Sequence, residues 1–250
     1  MIQIAGKTRT LADISGIPAG GTAAGILAAM SSSPSVHSYE TDGQLRFELN
    51  LRAQLVEKSR ELARSGLRFA VFRDSTCNPD FWDRMPNGGF KLKKNVSPAA
   101  AVGDIFRNGG RYGTECATAM MIVLYGALAE VYGAGQFDRL FPKIELMNWR
   151  RLDPRLQGFG ELEKYPDYLP GDRRYFANPD VDPLVPMWQG ENVVQLGGGL
   201  YYGHGVGINR AEAIIRNLNG NRSPGADEPA YLMDGAGRPD FKKLSALSGQ

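Results

Sequence analysis

Arg111-Tyr-Gly-Thr-Glu-Cys-Ala-Thr-Ala-Met-Met-Ile-Val-Leu-Tyr-Gly-Ala-Leu-Ala-Glu-Val-Tyr132 is the most apolar helical stretch of the chain, and we expect the rest of the fold to pack around it. Nearly every residue from Ala117 to Ala129 is apolar, which is typical of a helix buried on all sides. Thr114 is a suitable N-cap, and Glu115 lies in the first turn, where a negative charge suits the helix dipole. The stretch therefore places Cys116 at the N-terminus of a buried helix.

The position of Cys116 sets it apart from an ordinary cysteine. Free cysteines are among the most buried residue types, so a structural role is the default interpretation. In the first turn of a helix, however, unpaired backbone N–H groups and the helix dipole favour the thiolate, which is the nucleophilic form. The other cysteine, Cys77, lies in a loop without such a helix start and is predicted to be a bystander. Two cysteines cannot build a disulfide scaffold, and we expect both to be reduced.

Composition favours one ordinary globular domain over residues 1–250. A chain of 250 residues with 42% hydrophobic residues can bury a full core. Its net charge of +2 gives no field that would attract nucleic acid or an anionic membrane. No stretch approaches the roughly 20 apolar residues of a membrane helix, and the N-terminus makes a poor signal peptide. We therefore expect a soluble protein, made in the cytoplasm, that binds neither nucleic acid nor a membrane.

The two ends of the chain are predicted to be loosely organised. Residues 1–41 are rich in Gly, Ala and Ser and indicate an N-terminal arm, with a solvent-exposed His37 near its end. Residues 221–250 are rich in Gly, Pro and Asp and indicate a loop-rich C-terminal segment. Between them, apolar residues at helical spacing predict an amphipathic surface helix from Asp42 to Ser65, which Gly66 terminates.

Shorter elements are predicted along the rest of the chain. Ser97-Pro98 is predicted to start a short helix that runs through Phe106, and Asn209 to cap a final helix that ends at Gly220. Pro86-Asn87-Gly88-Gly89 is a turn sequence and predicts a hairpin. The predicted strands are Leu67–Phe72, the hairpin strands Phe81–Met85 and Phe90–Lys94, and Lys143–Trp149 and Arg174–Ala177.

A second hairpin, formed by Trp188–Leu196 and Leu200–Ile208, carries an acid and a histidine. If its loop is the two-residue turn Gly197-Gly198, Glu191 lies opposite His204 on the same face. A three-residue loop would instead put the two side chains on opposite faces. We expect the two-residue loop, and hence a Glu191–His204 pair.

These features together could support nucleophilic catalysis. A cysteine nucleophile needs a base that takes its proton and N–H donors that hold the oxyanion of the tetrahedral intermediate. The base could be His204, Glu191 or Glu115, and the sequence alone does not choose among them. Glu191 follows Gly190 and precedes an apolar strand, which suggests a partly buried carboxylate with a raised pKa.

Several segments resemble one known family. They are Gly113-Thr-Glu-Cys-Ala-Thr-Ala119, Trp188-Gln-Gly-Glu-Asn-Val-Val194 and Tyr201-Tyr-Gly-His-Gly-Val-Gly-Ile208, together with Phe47-Glu-Leu-Asn-Leu-Arg52 and Tyr175-Phe-Ala-Asn-Pro-Asp-Val-Asp-Pro183. They are similar, in the same order, to segments of the bacillus-type spore-coat transglutaminases, which are protein-glutamine gamma-glutamyltransferases. The resemblance spans most of the chain, and the blocks around Cys116 and Glu191 are specific when taken together.

The resemblance implies a fold and a set of catalytic residues. The fold would be a single compact α+β domain related to the NlpC/P60 branch of papain-like enzymes, with the catalytic cysteine at the N-terminus of a buried helix packed on an antiparallel sheet. Cys116 would be the nucleophile and Glu191 the main general base. Glu115 would be able to substitute for Glu191, and His204 would lie close by. The reaction would need neither calcium nor any other metal or cofactor.

The resemblance also implies what the protein acts on. Cys116 would attack a glutamine side chain, release ammonia and pass the acyl group to a lysine, which gives an isopeptide crosslink between proteins. The substrates would be spore coat proteins, and the enzyme would move from the mother-cell cytoplasm to the coat. Trp149, Trp188 and Tyr201 are candidate substrate-binding residues, and Tyr112 and Tyr202 are further aromatics that could line the route to the site.

Two alternative functions fit part of the pattern. One is a cysteine amidase or peptidase of the cell-wall type that uses Cys116 and His204, against which stands the Gly190-Glu191-Asn192 block. The other is a non-enzymatic coat or scaffold protein in which Cys116 is inert. In the first alternative Glu191 would not be the base, and in the second Cys116 would not react.

Overall fold

Helices and strands alternate along the chain in the computed structural model, which describes residues 1–249. The helices are α1 (Thr22–Ser32), α2 (Asp42–Arg64), α3 (Pro98–Arg107), α4 (Cys116–Tyr132), α5 (Ala134–Leu140), α6 (Gln157–Gly160), α7 (Ala211–Asn219) and α8 (Phe241–Leu247). The strands are β1 (Ile2–Ile4), β2 (Lys7–Arg9), β3 (His37–Tyr39), β4 (Arg68–Phe69), β5 (Trp82–Arg84), β6 (Phe90–Leu92), β7 (Gly113–Thr114), β8 (Glu145–Leu146), β9 (Arg173–Ala177), β10 (Gly190–Gly197), β11 (Leu200–Gly203), β12 (Gly207–Arg210) and β13 (Tyr231–Leu232). The fold is of the mixed α+β kind, as expected.

The apolar helix α4 forms the centre of the fold. All its residues from Ala117 to Leu128 are buried, and it contacts α2, α3, α5 and β10. The cap differs from the prediction, because Glu115 and not Thr114 is the N-cap. Thr114 belongs to β7 and pairs with Phe69 of β4, so its backbone is held in a parallel strand pair. That pairing with a distant strand leaves the next residue to cap the helix.

An antiparallel sheet of five strands, in the order β12-β11-β10-β9-β13, packs on α4. Its central strand β10 is buried from Gly190 to Val194. Val194 and Leu196 of β10 join the same apolar core as α4. The sheet therefore brings the Gly190-Glu191-Asn192 block against the N-terminal end of the central helix.

The register of the β10–β11 hairpin is one residue away from the expected one. Its turn is Gly198-Gly199, and an irregularity at Leu196 shifts the ladder so that Val193 lies opposite Gly203. Three consecutive glycines from Gly197 to Gly199 all have positive φ. Glycine adopts such conformations freely, so the local sequence does not choose between alternative turns.

The expected cross-strand pair of Glu191 and His204 is therefore wrong. β11 ends at Gly203, and His204 lies in the turn that leads to β12. Any contact between the two residues has to come from this turn and not from opposite positions in a ladder.

The expectation of a loosely packed arm over residues 1–41 is also wrong. Strands β1, β2 and β3 form a small sheet, and the Ala-rich segment forms α1. Ile26, Leu27 and Met30 of α1 are buried in a core that also contains Ile2 of β1 and residues of α2. Alanine is the best helix former, and a few apolar residues at helical spacing suffice to dock such a helix.

His37 is not solvent-exposed, in contrast to the prediction. Its side chain is 11% exposed, and its Nε2 lies 2.9 Å from Oδ2 of Asp167. The parallel pairing of β3 with β1 holds the backbone at this position, so the imidazole is carried into the fold. The partner is distant in sequence, which is why the local pattern gave no sign of it.

The long helices agree well with their sequence patterns. Helix α2 spans Asp42–Arg64, and Gly66 follows it with a φ of 84°. It is more deeply buried than a surface helix, because side chains on several of its faces, including that of Arg52, are covered. Helix α3 begins after Ser97, whose hydroxyl accepts a hydrogen bond from the N–H of Ala100, as predicted.

The short elements agree less well. The hairpin β5–β6 is present, but β4 and β8 have only two residues each, where Leu67–Phe72 and Lys143–Trp149 were predicted. Asn209 lies in β12, and Arg210 is the N-cap of α7. The C-terminal segment contains β13 and α8 and is thus more ordered than expected.

Candidate active site

Cys116 is the first residue of α4, and its side chain borders a cavity of about 510 Å³. Apolar and aromatic residues form most of the wall, and polar groups converge near the sulfur. The other lining residues are Phe69, Val71, Phe72, Glu115, Ala117, Asn148, Trp149, Tyr175, Pro186, Met187, Gln189, Gly190 and Asn192. A substrate side chain that enters this cavity would meet the thiol at the start of the central helix.

The Cys116 thiol holds its proton firmly in this environment. Burial, together with the negative charges of Glu191 and Glu115, raises its pKa to about 12. Two N–H groups of Asn192 act in the opposite direction. The expectation that the helix start favours a resting thiolate is therefore wrong, because desolvation and two nearby carboxylates outweigh the helix N-terminus.

Glu115 serves as the cap of α4. Its carboxylate accepts hydrogen bonds from the N–H of Ala117 at 2.6 Å and from the N–H of Thr118 at 2.7 Å. It also accepts the hydroxyl hydrogen of Thr118. These three hydrogen bonds commit the Glu115 carboxylate to the first turn of α4.

Glu191 lies almost completely buried on β10, with 1% of its surface exposed. Burial raises its pKa to about 8, although the N–H groups of Gly205 and His204 act against this shift. Its Oε1 accepts the Gly205 N–H at 3.2 Å. The prediction of a buried carboxylate with a raised pKa is thus supported by its surroundings.

The glycines on either side of His204 make room for the Glu191 carboxyl group. A Cβ atom at Gly203 would lie 2.8 Å from Cγ and Oε1 of Glu191. One at Gly205 would lie 3.2 Å from its Oε2. The Gly-His-Gly pattern visible in the sequence therefore serves the acid rather than the histidine.

The His204 imidazole is turned toward another part of the chain. Its Nε2 lies 3.1 Å from the carbonyl oxygen of Arg68, and its Nδ1 lies 3.5 Å from the hydroxyl of Tyr202. Because a carbonyl only accepts, Nε2 carries a proton and donates it there. Burial lowers the pKa of this histidine. The imidazole thus ties the β11–β12 turn to β4, and only the backbone of His204 reaches Glu191.

The predicted substrate-binding aromatics separate into two groups. Trp149 lines the cavity. Trp188 stacks on Phe69 at a centroid distance of 5.9 Å, behind the wall, and Tyr201 packs edge-on against Phe176 at 5.5 Å in a separate apolar cluster. Proximity in sequence to the site was a poor guide, because residues of one strand alternate between two faces.

Two further predicted aromatics belong to the core. Tyr112 is buried and donates its hydroxyl hydrogen to Asp104 at 2.5 Å, and Tyr202 is buried beside α4. The cavity instead uses Phe69, Phe72 and Tyr175, which the sequence did not single out. Phe69 and Phe72 are neighbours in the chain, whereas Tyr175 lies on the distant strand β9, so the fold brings two segments together here.

Asn192 and Arg173 are polar residues of the site that sequence reasoning missed. Nδ2 of Asn192 donates a hydrogen bond to Sγ of Cys116 at 3.4 Å. Oδ1 of Asn192 accepts one from Nη1 of Arg173 at 2.9 Å. Asn192 stands next to Glu191 in the Gly-Glu-Asn block, which was a usable signal, whereas Arg173 carried none.

Cys77 lies apart from this constellation. Both cysteines are free thiols, and burial raises the pKa of Cys77 to about 11.

Within residues 1–249 no helix is long and apolar enough to cross a membrane. Over the same residues, no group of three or more His, Cys, Asp and Glu side chains is arranged to hold a metal ion.

The site therefore combines a thiol, a buried carboxyl group and several N–H donors beside a largely apolar cavity. Such a set can attack an amide, hold the negative charge that develops and accept and return a proton. The apolar wall also limits the access of water to an acyl-enzyme.

Comparison with known proteins agrees with this chemistry. The family model described as "Protein-glutamine gamma-glutamyltransferase" matches residues 1–248. A protein of that name from Bacillus mycoides (strain KBAB4) is 44% identical over 220 residues, which cover 88% of this chain and 79% of the relative. One from Bacillus cereus (strain AH187) is 43% identical over the same coverage.

A solved structure has the same fold. The transglutaminase from Geobacillus stearothermophilus, without its C-terminal extension, superimposes with a TM-score of 0.76 at 45% sequence identity. The match covers 82% of this chain and 97% of that one.

Proposed function

Because the chain belongs to the protein-glutamine gamma-glutamyltransferase family, we propose that Cys116 is the nucleophile of this acyl transfer and Glu191 its principal general base. The activity itself makes the protein an acyltransferase that acts on protein substrates. The observation that carries the assignment is the buried Glu191 carboxyl group, whose charge acts on the Cys116 thiol at the edge of the cavity.

Acylation begins when Glu191 takes the proton from Sγ of Cys116. The sulfur attacks the side-chain carbonyl carbon of a substrate glutamine, and a tetrahedral intermediate forms with its charge on oxygen. When that intermediate collapses, Glu191 returns the proton to the departing nitrogen and ammonia leaves. A carboxyl group suits both steps only if its pKa lies near neutrality, which the burial of Glu191 supports.

Deacylation repeats the steps with a lysine amine. The neutral amine attacks the thioester carbonyl and loses a proton to Glu191. The Cys116 thiolate then leaves and takes the proton back. The balance is one glutamine amide and one lysine amine converted into one isopeptide bond and one ammonia.

Glu115 and His204 have supporting roles in this proposal. Glu115 is committed to the N–H groups of the first turn of α4, so it would be a less effective substitute base than Glu191. His204 binds the Arg68 carbonyl oxygen and so holds the turn whose N–H groups face Glu191. Of the predicted aromatics, Trp149 is the one placed to touch substrate.

Further features of the proposal follow from the family resemblance. We propose that residues 1–250 act as one domain, which the match over residues 1–248 supports. Along the chain, a nucleophile at a helix start is followed by an antiparallel sheet that carries the base. This order supports a relation to NlpC/P60 papain-like enzymes. Since thiol, base and donors all come from the protein, the reaction would proceed in a chelator such as EGTA, without calcium.

The substrates we propose are spore coat proteins, and the enzyme would pass from the mother-cell cytoplasm to the coat. The resemblance to the bacillus-type enzymes supports this, as do the Bacillus sources of the relatives. Incubation of the protein with coat extracts and a fluorescent amine would identify labelled coat proteins. Labelling of general proteins but of no coat component would count against this setting.

The hydrolase alternative required His204 to act as the base. Its Nε2 is engaged with the Arg68 carbonyl oxygen, and its Nδ1 faces the hydroxyl of Tyr202. An inert scaffold is equally hard to reconcile with a thiol that borders an open cavity.

The test is incorporation of a fluorescent primary amine into casein without calcium. We expect incorporation by the wild type and by the control Cys77→Ala, none by Cys116→Ala, and a loss of about 10²-fold or more in Glu191→Gln. Incorporation by Cys116→Ala would overturn the nucleophile assignment. Release of ammonia without incorporation would favour the hydrolase.

A further inference from the structure

Arg173 is a buried cation that lies directly behind the candidate nucleophile. The residue is 2% exposed, and its guanidinium carbon lies 4.7 Å from the ring centroid of Trp149. Its Nε donates to the carbonyl oxygen of Phe159 at 2.6 Å, and its Nη2 to that of Glu161 at 3.0 Å. The remaining nitrogen, Nη1, donates to Asn192. Each of these four contacts is with a neutral group.

Within the described residues, 1–249, no carboxylate forms an ion pair with Arg173. Arg52, an equally buried arginine, pairs with both Glu48 and Asp172. A buried charge without an opposite charge is costly, and desolvation lowers the pKa of Arg173 to about 10. The groups whose charge would favour this cation are the Cys116 thiolate and the Tyr175 phenolate. An unpaired cation here is suited to a negative charge that exists only during the reaction.

The orientation of the Asn192 amide follows from this arginine. A guanidinium has donors and no acceptor, so the amide oxygen has to face it. The amide NH₂ group is therefore turned the other way, toward Sγ at 3.4 Å. The backbone N–H of Asn192 acts on the same sulfur. One residue thus presents two donors to the thiol, and the arginine fixes the direction of one of them.

We propose that Asn192 is a catalytic donor that stabilises the Cys116 thiolate, and that Arg173 is its positioning residue and the counter-charge behind it. The inference rests on the proposed role of Cys116 as the nucleophile. When Glu191 takes the proton, the charge on Sγ develops against the two N–H groups of Asn192. When the thioester breaks, the same donors receive the thiolate again. No covalent bond to Asn192 or Arg173 is made or broken.

Other titratable groups also face the sulfur. Glu115 lies beside it at the start of α4, Glu191 acts from β10, and Tyr175 acts from β9. Both carboxylates oppose the thiolate, so the donors of Asn192 work against them. Removal of the side-chain donor of Asn192 should therefore make the thiol harder to ionise.

The first experiment measures the alkylation of Cys116 by iodoacetamide as a function of pH, in a Cys77→Ser background so that one thiol reports. In Asn192→Ala we expect the pH profile to move upward and kcat for amine incorporation to fall about 10²- to 10³-fold with little change in KM. An unchanged profile and kcat would overturn the proposal, since a merely structural amide would shift neither.

The chain provides a matched control on the same two strands. Gln195 of β10 accepts a hydrogen bond from Arg174 of β9 at 3.4 Å, as Asn192 accepts one from Arg173. Its Nε2, however, donates to the carbonyl oxygen of Tyr168 and not to the sulfur. Gln195→Ala should leave both the alkylation profile and kcat unchanged. A loss as large as that of Asn192→Ala would point to general damage to the sheet.

The second experiment tests whether Arg173 acts through Asn192. Arg173→Gln should lower kcat about tenfold and shift the alkylation profile in the same direction. In the double variant with Asn192→Ala, the loss in free energy should be smaller than the sum of the two single losses, because Arg173 then has no amide to position and keeps only its role as counter-charge. Additive losses would overturn the positioning role.

A conservative variant keeps the test decisive if Arg173→Gln does not fold. Asn192→Asp preserves the shape and gives Arg173 a carboxylate, but it removes the NH₂ donor. We expect a folded protein with a kcat at least as low as that of Asn192→Ala, and wild-type turnover would overturn the proposal. Activity that persists in Cys116→Ala would instead defeat the proposed function. An inactive Cys116→Ala together with a normal Asn192→Ala would defeat only this inference.

Discussion

The Glu191 carboxyl group and the Cys116 thiol share a poorly hydrated site, and both resist ionisation there. Burial raises the pKa of Glu191 to about 8 and that of Cys116 to about 12. The resting site is therefore close to neutral, with the thiol protonated. A nearby base must remove the proton during attack, so with Glu191 as the proposed base the reaction should depend on the ionised fraction of this carboxyl group.

This dependence predicts a pH profile. We expect kcat/KM for a glutamine peptide to rise about tenfold per pH unit below pH 8 and to level off above it, because only ionised Glu191 can accept the proton. Hydroxylamine as the acceptor removes the contribution of lysine ionisation. In Glu191→Gln the rise should disappear. A midpoint near that of an ordinary glutamate would contradict the assignment, as would a profile that Glu191→Gln leaves intact.

The same carboxyl group should reduce stability at high pH. Its pKa is about 8 in the folded protein against an ordinary value of 4.5, so between these values the folded state keeps a proton that the unfolded chain has released. The contribution of Glu191 is thus most favourable below pH 4.5 and is lost as the pH rises to 8. Glu191→Gln should gain up to about 5 kcal/mol relative to wild type at pH 8 and little at pH 4.5. Urea unfolding at both values checks this, and a destabilised variant at pH 8 would contradict it.

At the scale of elements, helix α4 depends on its N-cap residue, Glu115. Glutamate is not among the preferred N-cap residues, and it serves as the cap here because of its position. Glu115 accepts the N–H groups of Ala117 and Thr118. We expect Glu115→Ala to lower the free energy of unfolding by about 0.5–2 kcal/mol, the usual effect of losing an N-cap. Urea unfolding measures this loss. Glu115→Gln, which keeps an acceptor oxygen, is the control and should lose less.

The consequence for activity distinguishes this cap from the base. Glu115→Gln should retain much more transferase activity than Glu191→Gln, because Glu115 is committed to the helix start. Equal losses in both variants would mean that the two carboxylates share the proton transfer equally.

The elements that the sequence predicted well are those with local determinants. Helix α4 is apolar on every face, α2 repeats apolar residues over 23 positions, and α3 has a Ser-Pro start. Their periodicity and caps are contained within the segment itself. The β5–β6 hairpin is of the same kind, because its turn residues identify it.

The elements that were missed depend on distant partners. α1 is stable because β1 and α2 cover its few apolar residues. β4 and β7 are two-residue strands that exist only because they pair with each other. The β10–β11 register depends on three glycines that allow more than one turn. For this reason the predicted position of the His204 imidazole was wrong. Propensity and pattern cannot show such contacts.

The site shows the same division. Cys116 and Glu191 could be predicted as site residues because a cysteine at a helix start and an acid that follows a glycine are local signals. Arg173 could not be found, because an arginine on a short strand resembles any other until the fold places it behind Asn192. Asn192 belongs to the Gly-Glu-Asn block, but its contact with the sulfur depends on the fold.

At the scale of the whole molecule, one buried carboxylate connects segments far apart in the chain. Asp172 is 0% exposed. It accepts hydrogen bonds from Nη1 of Arg52 at 2.8 Å, from Nη2 of Arg238 at 2.7 Å and from the N–H of Leu169 at 2.8 Å. These partners join helix α2, the connection before β9 and the C-terminal segment, and Arg52 also binds Glu48. The network therefore connects the C-terminal segment to α2, the helix that packs on α4.

Asp172→Asn should break this network at its centre. The variant keeps the volume of the side chain but leaves the buried Arg52 and the partly buried Arg238 with one carboxylate fewer. Removing one partner of a buried ion pair typically costs about 3–5 kcal/mol. Urea unfolding at pH 7 measures this loss. Asp74→Asn is the matched control, because its partner Arg73 and the carboxylate are both exposed, so no measurable change is expected. A loss for Asp172→Asn as small as that of the control would show that water or neighbouring carbonyls compensate the two arginines, and that the segments are held together mainly by apolar packing.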